Sequence, residues 1–240
     1  LRESMMAARK PGFKALPLPY TVGATIKNDI RENVSKTVIA MIPGTDQKDE
    51  YIIFSAHWDH LGIGAVIDGD SIYNGARDNA SGTATLLGIA EAMAKSGPYK
   101  RSIVFLWVTA EEQGLLGSAY YAAYPVFPPD QTVANLNIDG MASYGEMNDL
   151  SVIGFGQSDL ESYAARWAEK QNRYILPDQE PEKGYFFRSD HFNFAKIGIP
   201  ALYAEGGFDH RTKGKEYAKE KSDEYRTTAY HLPNDEYDAA

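Results

Sequence analysis

Ile103-Val-Phe-Leu-Trp-Val-Thr-Ala110 is a strongly apolar run that closes on two acids, Glu111 and Glu112, and a Gly-rich turn into a helix, Gly114-Leu-Leu-Gly-Ser118, follows at once. A strand buried on both faces has this near-continuous apolar character, as parallel strands of α/β proteins do. Carboxylates at its C-terminal edge lie where open α/β sheets keep their chemistry. The stretch predicts a metal site with a general base beside it.

The chain on either side alternates strand and helix signals. Upstream, residues 51–56 form a short apolar strand, residues 37–42 and 20–26 alternate like strands, and residues 3–10 look helical. Residues 58–78 form a long loop with turn signals at Asp68-Gly69-Asp70 and Asn74-Gly75, consistent with a hairpin. Asn79 or Ser81 caps a helix to about Lys95, with Leu86, Leu87, Ala90 and Met93 as its buried stripe and Gly97-Pro98 at its end. Downstream, residues 133–138, 150–153 and 201–204 read as strands, residues 160–171 as an amphipathic helix and residues 191–196 as a short one. The charged, aperiodic stretch 209–226 reads as a mobile surface loop with His210 solvated. The alternation predicts an α/β domain with a mostly parallel sheet.

Composition limits the function classes. The chain has 240 residues, is 43% hydrophobic and carries a formal net charge of -9, which gives no basic footprint for nucleic acid or an anionic membrane. It has no cysteine, so any metal must be held by carboxylate and imidazole. No apolar run is long enough to span a bilayer. A chain that begins at Leu1 reads as processed or cut from a longer protein.

The acids and histidines fall at strand ends. His57 follows the strand at 51–56, Glu111 and Glu112 follow the strand at 103–110, and Asp139 follows the strand at 133–138. Neighbouring strands lie about 4.8 Å apart, so parallel order would gather these ends at one edge. Asp78 precedes a helix and His231 lies in a late loop. Carboxylates with two imidazoles suit zinc, manganese or cobalt. Each piece has a plainer reading taken singly: helix capping for Asp78-Asn-Ala-Ser-Gly82, an acidic first helical turn for Glu111-Glu112, an ordinary turn for Asp139-Gly140. Their joint arrangement at sheet edges favours the metal site.

His57-x-Asp59, Gly75-Ala-Arg-Asp78-Asn-Ala-Ser-Gly82, Thr109-Ala-Glu111-Glu112-Gln-Gly-Leu-Leu-Gly-Ser118, Asn137-Ile-Asp139, Ser189-Asp-His191 and Tyr230-His231 occur in that order. This series resembles the M28 zinc aminopeptidases. The resemblance implies a three-layer αβα fold of the zinc-exopeptidase type, with a mixed, mostly parallel central sheet. It implies two zinc ions, replaceable by manganese or cobalt, with His57 and Asp139 on one, Glu112 and His231 on the other, and Asp78 bridging both. Glu111 matches the general base, acting on a water held between the metals. Tyr230 matches a tyrosine whose hydroxyl stabilises the oxyanion, Asp59 an acid that orients the His57 ring, and Arg188 a position whose main chain lies near the free amine of a peptide substrate. A cis peptide between Asp78 and Asn79 is implied as well. His60 reads as structural or loop-lining, His191 with Asp190 as pocket wall, and the aromatic run Tyr185-Phe-Phe187 as pocket lining or core.

The resemblance covers residues 57–231 and implies an N-terminal lead-in over 1–35 and a catalytic domain over 36–240, truncated at both ends. The chain stops at Asp238-Ala-Ala240, where relatives continue into a closing helix. Because such relatives are mostly exported, a periplasmic or extracellular location is implied. Three rivals share the fold. A metallocarboxypeptidase or dipeptidase needs a cationic clamp, for which only Arg77 or Arg188 stand near the motifs. A one-zinc glutaminyl cyclotransferase and a catalytically silent binding module fit less well with an intact ligand set and base.

Overall fold

The computed structural model describes residues 2–15, 17, 19–30, 32–141 and 144–237. Residues 238–240, and with them the expected truncation point, lie outside the described residues. Contacts divide the chain into two compact units, Leu1–Val34 and Ser35–Ala240.

The first unit holds one short helix, α1 (Arg2–Ala8). The strand expected over 20–26 does not form: these residues are without regular structure, and Tyr20, Val22 and Ile26 are exposed. Alternation marks a strand only when a neighbouring strand takes up the main-chain hydrogen bonds and one face is buried, and here neither condition holds.

In the second unit the chain runs β1 (Val38–Ile42), β2 (Gln47–His57), β3 (Gly62–Ile67), β4 (Asp70–Tyr73), α2 (Ser81–Ser96), β5 (Arg101–Val108), α3 (Leu116–Ala123), β6 (Thr132–Asn137), β7 (Asp149–Ile153), α4 (Leu160–Lys170), β8 (Tyr174–Pro177), α5 (His191–Lys196), β9 (Ala201–Gly206) and α6 (Gly214–Thr228). A seven-stranded sheet has the order β1-β5-β2-β6-β9-β7-β8, and β3 and β4 form the separate hairpin expected in the long loop. β5, β2, β6 and β9 are mutually parallel, whereas β1 runs against β5 and β7 against β9.

The burial of β5 explains its apolar run. Every residue after Arg101 is buried. Val104, Leu106 and Val108 join Tyr121 of α3 and Phe194 of α5 in one core, and Ile103, Phe105 and Trp107 join Leu86 of α2 in the other. The sheet is therefore covered on both faces, giving the three-layer αβα architecture. Truncating Phe105, which is fully enclosed, to alanine should cost about 3–5 kcal/mol.

Two further expectations are corrected. The stretch 209–226 is largely helix α6 rather than a mobile loop. Its lysines, glutamates and alanine are strong helix formers, and the pairs Lys219–Asp223 and Lys221–Glu224 lie at helical spacing. The sequence lacks an apolar stripe because only Ala218 of this helix is buried. His210 is buried rather than solvated, and its Nδ1 accepts the main-chain N–H groups of Thr212 and Lys213 just ahead of α6.

Candidate metal centre

The parallel order β5-β2-β6 sets three strand ends side by side. His57 is the last residue of β2, in register with Val108 of β5, and Ser55 is in register with Asn137, the last residue of β6. Beyond these ends the main chain turns through left-handed conformations that non-glycine residues rarely adopt: Ala110 has φ 55, Leu115 φ 60 and His231 φ 56. Such residues cluster where a site dictates the backbone. Here they flank the two glutamates and carry the late histidine. The peptide between Asp78 and Asn79 is cis.

The five expected ligands converge. His57 Nε2 lies 3.1 Å from Asp139 Oδ1 and 3.3 Å from Asp78 Oδ1. His231 Nε2 lies 3.3 Å from Asp78 Oδ2 and 3.0 Å from Glu112 Oε2. Asp78 thus presents one oxygen to each imidazole. Two ligands about 2.0–2.1 Å from one tetrahedral zinc stand about 3.3 Å apart, as these imidazole and carboxylate pairs do; donor atoms of His57, Asp78 and Asp139 all lie within 4.8 Å of one another, and so do those of His60, Asp78 and Glu112, so each of these groups could hold a cation. The donor chemistry, imidazole with carboxylate, fits as well.

Neighbouring polar groups fix the donors. Asp139 Oδ2 accepts the Ser189 hydroxyl at 2.5 Å, Ser189 Oγ accepts Asn137 Nδ2 at 2.7 Å, and Asn137 Oδ1 accepts the Ser55 hydroxyl at 2.7 Å. The Asp235 carboxylate accepts the main-chain N–H groups of Arg77 and Asp78, each at 3.0 Å, and the Tyr225 hydroxyl at 3.1 Å. Asn79 Nδ2 donates to Ile138 O, and its Oδ1 accepts the N–H groups of Gly82 and Gly140. Asn79 therefore ties the start of α2 to the loop that carries Asp139. The supports from Asn79, Asn137 and Ser189 sit inside motifs whose other members carry the chemistry. Asp235 carries no motif, and its main-chain partners Arg77 and Asp78 lie more than 150 residues away.

Asp59 meets the site in an unexpected way. His57 Nδ1 lies 3.1 Å from the Asp59 main-chain carbonyl oxygen and 3.9 Å from its carboxylate Oδ1. That carboxylate oxygen instead accepts the Glu111 N–H at 3.3 Å.

The electrostatics follow from gathering four carboxylates and three imidazoles, those of His57, His60 and His231, in one place. Burial opposes charge on His57, but Asp139, Asp78 and Glu111 outweigh it and hold the ring protonated well above its ordinary range. Burial likewise opposes the Asp78 anion, and the contacts from His231 and His57 overcome it and hold this carboxyl well below the usual range. Glu112 is lowered, its burial outweighed by His231 and His60. His231 is raised to about 10 by its contacts with Asp78 and Glu112. Glu111 goes the other way: burial, then the charge of Asp139, pushes it up to about 9.

A cavity of about 570 Å³ opens beside these groups, lined by Glu111, Glu112, Arg188, Tyr230 and His231 among others. Tyr230 stacks on the His231 ring, centroids 3.9 Å apart. Tyr185 and Phe187 face the cavity, whereas Phe186 packs edge-on to His191. His191 is enclosed between Phe186 and Tyr203, and burial lowers it to about 3.

A mixed sheet with this acid and imidazole cluster at its C-terminal edge defines an α/β domain of the zinc-exopeptidase type. The chain belongs to peptidase family M28, whose sequence profile matches residues 37–240. It is 29% identical over 208 residues to leucine aminopeptidase 1 of Penicillium rubens, an alignment covering 80% of this chain and 51% of that protein. The crystal structure of a zinc aminopeptidase from Bacillus subtilis superposes with a TM-score of 0.60 at 27% identity, covering 83% of this chain and 44% of the other. A glutaminyl cyclase from Bacteroides thetaiotaomicron shares the fold, with a TM-score of 0.58 at 18% identity over 83% of this chain and 69% of the other. The chain spans about half the length of the aminopeptidases it matches.

Proposed function

We propose that residues 36–240 are the catalytic domain of a dinuclear zinc aminopeptidase, with residues 1–35 as a lead-in, that removes N-terminal residues from peptides. One observation carries this reading: Asp78 turns its two oxygens to two separate donor groups, His57 with Asp139 and His231 with Glu112, while Glu111 faces the cavity next to Glu112. Three ligand carboxylates offset most of the charge of two divalent ions. Manganese or cobalt would suit the same donors.

Two bound zinc ions would lower the pKa of water toward about 7 and polarise the scissile carbonyl. Glu111 is the general base. Buried and uncharged near neutral pH when no cation is present, it becomes an anion once positive charge is added nearby. It then takes the proton from the attacking water and passes it to the leaving amine. The Tyr230 hydroxyl stays protonated, raised by burial and by the surrounding carboxylates, and so can donate to the developing oxyanion. Arg188 supplies main chain near the substrate's free amine. The Asp59 carboxylate fixes the Glu111 main chain, and its carbonyl orients His57. No helix among the described residues is long and apolar enough to cross a membrane, and an exported location belongs to this proposal through the family resemblance.

Parallel assays with aminoacyl, N-blocked and C-blocked peptides test the reading. Cleavage should require a free amine and tolerate a blocked carboxyl end. Equal rates on N-blocked substrates, or cyclisation of N-terminal glutamine without hydrolysis, would refute it.

A further inference from the structure

His60 stands three residues beyond His57, outside the five expected ligands though within donor reach of Asp78 and Glu112, and its side chain and that of Glu112 are both almost fully enclosed, at 5% and 4% exposure. Its Nδ1 lies 2.7 Å from Glu112 Oε1, the oxygen that does not face His231. The two atoms are in close contact without the angle of a formed hydrogen bond, and neither has a hydrogen-bonding partner among the described residues. Buried polar atoms left in that state are costly, and a small turn of the imidazole would pair the two. The ring is also held from behind. A Cβ at Gly75, whose φ is +64, would come within 2.4 Å of His60 Cγ, so the imidazole packs directly on the main chain that leads to Asp78. Its edge meets the His231 ring, centroids 5.7 Å apart.

Distance separates two roles for such a residue. Donors sharing one tetrahedral zinc stand about 3.3 Å apart, and a 2.7 Å separation would squeeze the ligand angle to about 80°. A length of 2.7 Å is instead that of a charge-assisted hydrogen bond. We propose that His60 is a positioning residue for Glu112: its Nδ1–H holds Oε1, so that Oε2 is left to face the second cation beside His231. The inference rests on the two-cation reading and extends it to a residue outside the five ligands.

The test is titration of the metal-free full chain with Co(II), read by visible absorption, by chelator competition and by counting imidazoles in the X-ray absorption of the loaded protein. Wild type should bind two equivalents with two imidazoles, those of His57 and His231. His60→Ala should keep one equivalent at wild-type affinity and lose about 10–100-fold on the other. His60→Asn puts an amide nitrogen where Nδ1 was and should recover affinity to within about threefold, whereas His60→Gln, whose amide reaches toward the Nε2 position, should not. The Asn and Gln pair decides the matter even if the Ala variant fails to fold. Unchanged affinity in His60→Ala, equal affinity in the Asn and Gln variants, or three imidazoles on the wild-type cobalt would overturn the proposal. A wild type that binds one equivalent or none would overturn the two-cation reading itself, and this inference with it.

Discussion

Ser189→Ala removes one hydroxyl and strands a buried amide, that of Asn137, and a half-buried carboxylate, that of Asp139. Ser189, 2% exposed, donates to Asp139 Oδ2 and accepts from Asn137 Nδ2, so it carries the polar relay from β6 to the expected ligand. Losing a hydrogen bond to a charged acceptor costs about 1.5–3 kcal/mol, and an unsatisfied buried amide about 1–3 kcal/mol. The two effects share a residue and do not add in full, so the cation-free protein should lose about 2–4 kcal/mol. Urea unfolding after chelation should show a lower midpoint with an unchanged m-value. Zinc affinity, measured by chelator competition, should fall about 10–100-fold for the cation held by His57 and Asp139, as is usual when a group supporting a ligand is lost. An unchanged midpoint together with affinity within twofold of wild type would refute the claim that this relay holds Asp139 in place.

Glu111→Gln should retain both cations while lowering kcat by about 10²–10⁴-fold, checked by metal analysis beside steady-state kinetics. Asp78→Ala should lose both cations in metal analysis, because each group of donors loses an oxygen. Tyr230→Phe should lower kcat by up to about 10²–10³-fold with little change in bound metal. The pH dependence has a definite sign. His57, His231 and Glu111 all have raised folded-state values, with Glu111 moved from 4.5 to about 9 and His231 from 6.5 to about 10. The stability these groups confer on the cation-free protein is present below their unfolded values and is lost as pH rises toward about 10. Cations must displace those protons, so zinc affinity should rise across the same window. Calorimetry in buffers of different ionisation enthalpy should find up to three protons released near pH 7, one each from His57, His231 and Glu111.

The parts of the fold legible in the sequence are those where burial is two-sided or periodic. β5 declares itself because both of its faces are covered, and the acids at its end follow from that placement. α6 stays hidden because it buries a single alanine, so nothing in its apolar pattern repeats. β8 is a short edge strand ending in Pro177, with one neighbour and little burial. Residues 20–26 mislead for the opposite reason, since alternation without a partner strand is only alternation. At the site, residue types and order expose the candidate ligands. What the supports hold is not visible in the sequence: Asp235 reaches the Arg77 and Asp78 main chain across more than 150 residues, and Ser189, although it stands in a motif, reaches Asp139 across 50. Such contacts depend on which loops the sheet order brings together, and a sequence motif does not carry that information. The Asp59 carboxylate is a related case, since the residue type is right while the atom facing His57 is its carbonyl.

The most direct measurement is anomalous diffraction from zinc-loaded crystals. Two peaks about 3.5–4 Å apart, on either side of the Asp78 carboxylate, one beside His57 and Asp139 and the other beside Glu112 and His231, are what this account predicts. A single peak, or zinc bound away from Asp78, would contradict it.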